Sequence, residues 1–246
     1  DDWRLDLDSL SGAPENTRAV ILVHPNNPTG SHIHPDDATA IGTLCRERDW
    51  ALIVDEVFLP YVLDGGPGSD ITFAGSNRCL TFALGGLSKS IGLPQLKLAW
   101  IVAGGPGDLA SAALERLDHI TDTYLSVNTQ VALSAPRLLA SAASLQEAIG
   151  ARFRTNLAIL RRAATGHPAL SVLPVGGGWS VVLRLPAVLD DEAFALRLLD
   201  ERGVAVQPGF FFDLPWEGAL VLSLLTPEAA WRKGLDAIFE TVEGLI

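Results

Sequence analysis

Three almost uninterrupted apolar runs constrain this chain more than any other feature. Residues 18–23 read Arg-Ala-Val-Ile-Leu-Val, residues 50–54 Trp-Ala-Leu-Ile-Val, and residues 79–84 Cys-Leu-Thr-Phe-Ala-Leu. A strand wet on one face alternates apolar and polar residues. Runs without that alternation belong to strands covered on both faces, which is the habit of parallel sheets. Residues 36–49, between the first two runs, have helical spacing, with Ile41, Leu44 and Cys45 apolar and Asp36 and Asp37 near the N-terminus. Crossovers of this kind make the first three strands parallel. A fourth run, residues 96–103, follows a turn too short for a crossover and is therefore expected antiparallel to the third.

Downstream the pattern changes. Residues 108–162 read as helices, with an Ala/Leu-rich stretch at 129–148 and a basic one at 152–162. Strand-like segments return at 170–173, 179–185 and 219–225, with helical spacing at 190–202 and 227–245. The expected architecture is therefore α/β. A larger, mainly parallel domain occupies residues 1–145, including the start of an interdomain helix, and a smaller α/β domain occupies 146–246.

Composition narrows the function. The 18 basic and 29 acidic residues leave a formal charge of −11, which disfavours nucleic acid or an anionic membrane as partner. No apolar run reaches the roughly 18–20 residues of a membrane span, and no signal peptide is visible. Cys45 and Cys79 read as buried, reduced thiols of a cytoplasmic protein. His24, His32 and His34 lack acidic or cysteine companions at metal-ligand spacing, so no metal site is expected. Methionine is absent even at position 1, which sets the expectation that a segment upstream is missing.

In parallel sheets, ligands gather at the carboxyl ends of the strands. Three polar residues follow such ends: Asn27, Asp55 and Lys89. The chain holds only three lysines among its 18 basic residues, and two of them, Lys89 and Lys97, flank one turn. Lysine, unlike arginine, can be deprotonated to a nucleophilic amine. An amide, a carboxylate and an amine at one sheet end suit a cofactor with complementary groups.

The order and spacing of these residues carry a resemblance. Pro25-Asn26-Asn27-Pro28-Thr29-Gly30, Asp55-Glu56-Val57-Phe58, and Ser88-Lys89 with Lys97 eight residues on resemble the class I/II pyridoxal-phosphate aminotransferases of fold type I. The resemblance runs along the whole chain and includes Pro208-Gly209. It implies a partial fold type I large domain plus a small C-terminal domain, with pyridoxal 5'-phosphate as cofactor. Lys89 would form the internal aldimine and then move the proton between Cα and the cofactor. Asp55 would hold the pyridine nitrogen protonated, Asn27 would donate to the phenolic oxygen, and Lys97 and Ser88 would meet the phosphate. The implied reaction moves an amino group from an amino acid or amine donor to a 2-oxo acid, and the implied assembly is a homodimer.

Departures from the family pattern set further expectations. Phe58 stands where the family usually has a tyrosine that bonds the phenolic oxygen, and Gly86 where many members have a phosphate-binding hydroxyl. Val221 occupies the position of the arginine that grips the substrate carboxylate; Arg184 is the nearest sequence candidate to replace it. Two other readings follow: a pyridoxal-phosphate lyase or decarboxylase, and a truncated, non-catalytic remnant that acts in association. Trp179, after Gly176-Gly177-Gly178, suits either the substrate entrance or interdomain packing. Tyr124 to Gln130 resembles the family's dimer-contact segment.

Overall fold

The computed structural model describes residues 3–188 and 190–245. The first half is built on a four-stranded sheet. Strands β1 (Ala19–Val23), β2 (Ala51–Asp55) and β3 (Thr81–Gly86) run parallel, and β4 (Ala99–Gly104) closes the order β1-β2-β3-β4 antiparallel to β3. The register pairs Val23 with Asp55 and Asp55 with Leu84, so the C-terminal ends of the three parallel strands lie level.

The β1–β2 crossover is helix α1 (Pro35–Glu47), whose first turn carries Pro35, Asp36 and Asp37. Proline suits the first turn because its missing N–H would lack a partner there, and the acidic residues complement the helix dipole. His34 caps it by accepting the Asp36 amide, while Asp37 takes a bidentate pair from Arg4 at 2.6 Å for each bond. Ile41 and Cys45 of α1 pack on Leu52 and Val54, with Trp50, Phe73 and Cys79 completing the cluster. Side chains alternate along a strand, so Ile53 and Asp55 point to the opposite face. That second face is open at both edges, with Ile21 70% and Ile101 47% exposed. The β2–β3 crossover contains no helix; turns and loops span it.

A short helical turn, α2 (Leu87–Ser90), follows β3, and α3 (Gly107–Asp122), α4 (Thr129–Ala140) and α5 (Ala142–Ala164) follow β4. The second sheet has the order β5-β6-β8-β7, all antiparallel, from β5 (Ser171–Val172), β6 (Ser180–Arg184), β7 (Gln207–Pro208) and β8 (Ala219–Ser223). Helices α6 (Asp191–Arg202) and α7 (Glu228–Glu243) join α5 on one face of it. There Phe153, Leu160, Leu198 and Ile238 bury Leu183, Leu220 and Leu222. Asn156 of α5 donates to the carbonyls of Leu224 and Thr226, and its own carbonyl accepts the Trp231 indole. The opposite face buries Val182, Ala219 and Val221 under Phe212, Leu214 and Trp216.

The two halves meet at the glycine triplet. The amides of Gly176 and Gly177 both donate to the Gly30 carbonyl, that of Leu63 to Gly176, and that of Gly178 to Tyr61. Gly30 adopts φ +68°, and a Cβ on it would stand 2.4 Å from the Gly177 carbonyl oxygen. Glycine is required there by both conformation and space. Among the described residues no helix is long and apolar enough to cross a membrane.

Candidate active site

Lys89 is presented by a tight strand-to-helix turn. Gly86 ends β3 in extended geometry, α2 occupies four residues, and the Leu87 amide returns to the Leu98 carbonyl. The Tyr61 hydroxyl donates to the carbonyls of Lys89 and Ser90 at 3.0 Å each, and Gln146 of α5 donates to that of Ser90. Burial pushes the Tyr61 phenol up to about 12, which keeps it a donor at neutral pH. The backbone under Lys89 is thus fixed by side chains from distant parts of the chain.

The Lys89 ammonium lies 5.5 Å from the centroid of the Trp179 ring and has no acidic partner among the described residues. Phe58, Tyr61 and Phe153 each meet that ring edge-on or tilted, with centroids 5.2–5.7 Å apart within the cluster. The Trp179 indole nitrogen is buried without a hydrogen-bond partner. Trp179 therefore lies against Lys89 on one side and packs on the apolar cluster that holds Tyr61 and Phe153 on the other.

Asp55 ends β2 on the face opposite α1. One of its carboxylate oxygens accepts the Val57 amide at 3.0 Å. Asn27 lies exposed in the loop after β1, preceding a cis proline, and it borders a cavity of about 420 Å³ with Trp3, Phe212 and Leu214. Lys97 is exposed just before β4, in the left-handed region at φ +51°. Ser88 is half-buried in α2. The topology therefore brings Asn27, Asp55, Ser88, Lys89 and Lys97 to one end of the sheet, spread across its four strands. The side chains of Asn27, Ser88, Lys89 and Lys97 make no hydrogen bond or ion pair within the described residues. An amide, a hydroxyl and two ammonium groups with unused donors, beside a carboxylate with unused acceptors, form a donor set that fits pyridoxal phosphate.

Val221 is 3% exposed, paired with Val182 and packed within the apolar cluster on its sheet face. Arg184 is on that same face, two residues along β6, with its guanidinium 5.5 Å from the Trp216 ring centroid. Trp216 in turn lies 5.7 Å from Trp3, centroid to centroid. Sequence reasoning missed this Arg184–Trp216–Trp3 stack, because its members are 181 and 32 residues apart and only the fold joins them. His24 donates to the Ile71 carbonyl and accepts the Ile33 amide. No group of three or more potential metal ligands exists among the described residues.

The sequence profile described as aminotransferase class I and II matches residues 1–238. The chain belongs to this family. An alanine aminotransferase of Mycobacterium tuberculosis is 27% identical over 246 residues, covering 97% of this chain and 56% of that protein. An arginine–pyruvate transaminase of Pseudomonas aeruginosa is 33% identical over 228 residues, covering 90% of this chain and 55% of that protein. The fold is that of an aminotransferase crystal structure from Escherichia coli, at TM-score 0.86 and 22% identity over 99% of this chain and 62% of that one. The chain spans a little over half the length of the curated relatives it matches. The α/β architecture expected from sequence is therefore the fold type I architecture of this aminotransferase family, and the family's cofactor is pyridoxal phosphate.

Proposed function

We propose that the protein is a pyridoxal-phosphate transaminase that moves an amino group from an amino acid or amine to a 2-oxo acid. The observation that carries this reading is Lys89. Its ammonium stands without a counter-ion on a rigid turn at the sheet end, between Asp55 and Lys97. Bound pyridoxal phosphate supplies an electron sink for negative charge developing at the substrate α-carbon. Asp55 would pair with the pyridinium N–H, its negative charge favouring the protonated ring. Asn27 would donate to the phenolic oxygen. Lys97 and Ser88 would meet the phosphate, Lys97 as a point charge where an arginine would give a fork. Lys89 Nζ would hold the cofactor covalently and, when free, take and return the α-proton.

Arg184 lies on the same sheet face as the buried Val221, two residues along β6 from its cross-strand partner Val182. A diagonal neighbour in an antiparallel pair is about 7–8 Å away, within reach of an arginine side chain. We assign it the substrate carboxylate. A lyase or decarboxylase is the second reading, favoured by the apolar surroundings of Val221.

The assembly we propose is a cytoplasmic homodimer. Helices α3 and α4 bury almost nothing: Ala113 is the one buried residue of α3 and α4 has none among those described. Leu125 between them is fully exposed and Leu133 is 77% exposed. Apolar side chains displayed in this way fit an interface between two copies. The domain division proposed is 1–145 and 146–246, the long helix α5 passing from one to the other.

Mixing the protein loaded with pyridoxal phosphate with an amino-acid panel, without acceptor, tests the reaction. A transaminase releases one equivalent of 2-oxo acid per site and then stops. Release of CO2 in its place would establish the second reading.

A further inference from the structure

The carbonyls of Lys89 and Ser90 end a helix too short to satisfy them. Helix α2 spans four residues, and the last four carbonyls of a helix lack partners within it. The amides downstream go elsewhere: those of Ile91 and Leu93 both donate to Leu87, and Gly92 turns the chain away at φ +66°. The Tyr61 hydroxyl takes the vacant place, 3.0 Å from each carbonyl. Among the described residues no other side chain donates to the Lys89 carbonyl; Gln146 reaches that of Ser90 alone. Tyr61 is itself held from two directions. It is 2% exposed, its own carbonyl accepts the Gly178 amide, and its ring meets Phe153 and Trp179 edge-on, with centroids 5.2 and 5.7 Å away.

A lysine carries its amine on a flexible four-carbon stem, so the place of its backbone decides which positions the amine can reach. A four-residue helix has little cooperative stability with which to hold that place by itself. We propose that Tyr61 is the positioning residue for Lys89. Its hydroxyl fixes the root of the lysine and so ties the amine to the residues that hold Tyr61, namely Phe153 of α5 and Gly178 and Trp179 before β6. The assignment rests on the transaminase reading for what the amine does. Tyr61 acts only through the backbone and is not a catalytic group. Its role still exceeds packing, because a displacement of about 1 Å at a reacting group can cost about a hundredfold in rate.

The test uses the three lysines, Lys89, Lys97 and Lys233, as competing reporters. Pyridoxal phosphate is added for timed intervals, borohydride fixes the product, and the pyridoxyl label on each lysine is measured by mass spectrometry. In the unsubstituted protein Lys89 should label fastest. Well below the melting temperature, Tyr61→Phe should slow Lys89 labelling roughly tenfold or more, within the range for a misplaced reacting group, and leave Lys97 and Lys233 unchanged. Ile41→Val trims the separate core under α1 and controls for lost stability; it should lower the melting temperature with Lys89 labelling unaffected. Without cofactor, the Ile91 and Leu93 amides of the unsubstituted protein should exchange hydrogen as slowly as those of β3, and faster in Tyr61→Phe. Lys89 labelling at the unsubstituted rate in Tyr61→Phe, or equal slowing in Ile41→Val, overturns the assignment while the transaminase reading stands. If Tyr61→Phe does not fold, the exchange comparison in the unsubstituted protein decides, and fast exchange at Ile91 and Leu93 overturns the assignment. Absence of label on Lys89 in the unsubstituted protein overturns both.

Discussion

Lys89 and Trp179, 90 positions apart in sequence, meet face to ammonium, with the nitrogen 5.5 Å from the ring centroid. The contact joins the C-terminal end of the parallel strands in the first sheet to the residue that precedes β6 of the second sheet. A cation over an indole face is worth roughly 0.5–2 kcal/mol depending on how dry the site is. Replacing Trp179 with alanine should therefore lower thermal stability, measured by calorimetry, and the loss should exceed that for Lys89→Ala. The tryptophan also packs on Phe58, Tyr61 and Phe153.

Tyr61 supports the lysine from below. Tyr61→Phe removes a hydroxyl that serves the carbonyls of Lys89 and Ser90; that of Ser90 keeps Gln146, while that of Lys89 loses its side-chain donor, at a cost of about 1–3 kcal/mol. Chemical denaturation should show that loss, with the m-value unchanged because the surface exposed on unfolding is the same.

Lys97 separates stability from binding. A non-glycine residue in the left-handed region costs roughly 1–2 kcal/mol. Lys97→Gly removes that strain together with the cation proposed for the phosphate, while glycine adds about 0.5–1 kcal/mol of unfolded-state entropy. Thermal stability should stay level or rise slightly while pyridoxal phosphate affinity falls about tenfold or more. Lys97→Arg should retain the affinity. Parallel losses of stability and affinity in Lys97→Gly would remove the phosphate role.

The His32–His24 pair beside the glycine triplet predicts acid sensitivity. Burial first, and then the neighbouring His24 ring, centroids 5.4 Å apart, together hold His32 down at about 4; burial lowers His24 as well. Both His32 ring nitrogens are buried without partners. A histidine whose folded pKa is depressed binds its proton more readily when unfolded. Its neutral form contributes stability that is complete above the unfolded value near 6.5 and is lost as pH falls from there through about 4. Denaturation midpoints should decline across that window, and His32→Leu should flatten the decline.

Arg184 makes a kinetic prediction. Arg184→Ala should raise KM for carboxylate-bearing donors at least tenfold, with pyridoxal phosphate affinity unchanged. An equal effect on an amine donor without a carboxylate would instead place Arg184 among packing residues.

The placement of the candidate residues was legible because they lie at strand ends. The apolar runs fixed three parallel strands, and parallel strands bring their ends together, so Asn27, Asp55 and Lys89 converge once the topology is known. The antiparallel β4 followed from a turn too short to cross the sheet. Other features had no local signal. Strand β7 is two residues long and includes Pro208, which only an edge strand tolerates. The break between α4 and α5 is a single residue, Ser141, inside an unbroken Ala/Leu pattern. The place of Trp179 depended on how the Gly176–Gly178 turn docks on Gly30 and Tyr61, a long-range matter that neighbouring residues do not encode. The same holds for Arg184 on Trp216.

The central claim, that Lys89 is the residue that takes up pyridoxal phosphate, has a direct measurement. Pyridoxal phosphate is added, the mixture is reduced with borohydride, and the digested protein is mapped by mass spectrometry. A visible absorbance band is expected before reduction, and one pyridoxyl label per chain, on Lys89, that Lys89→Ala abolishes together with the band. Absence of the band, or a label on Lys97 or Lys233 in preference to Lys89, would contradict it.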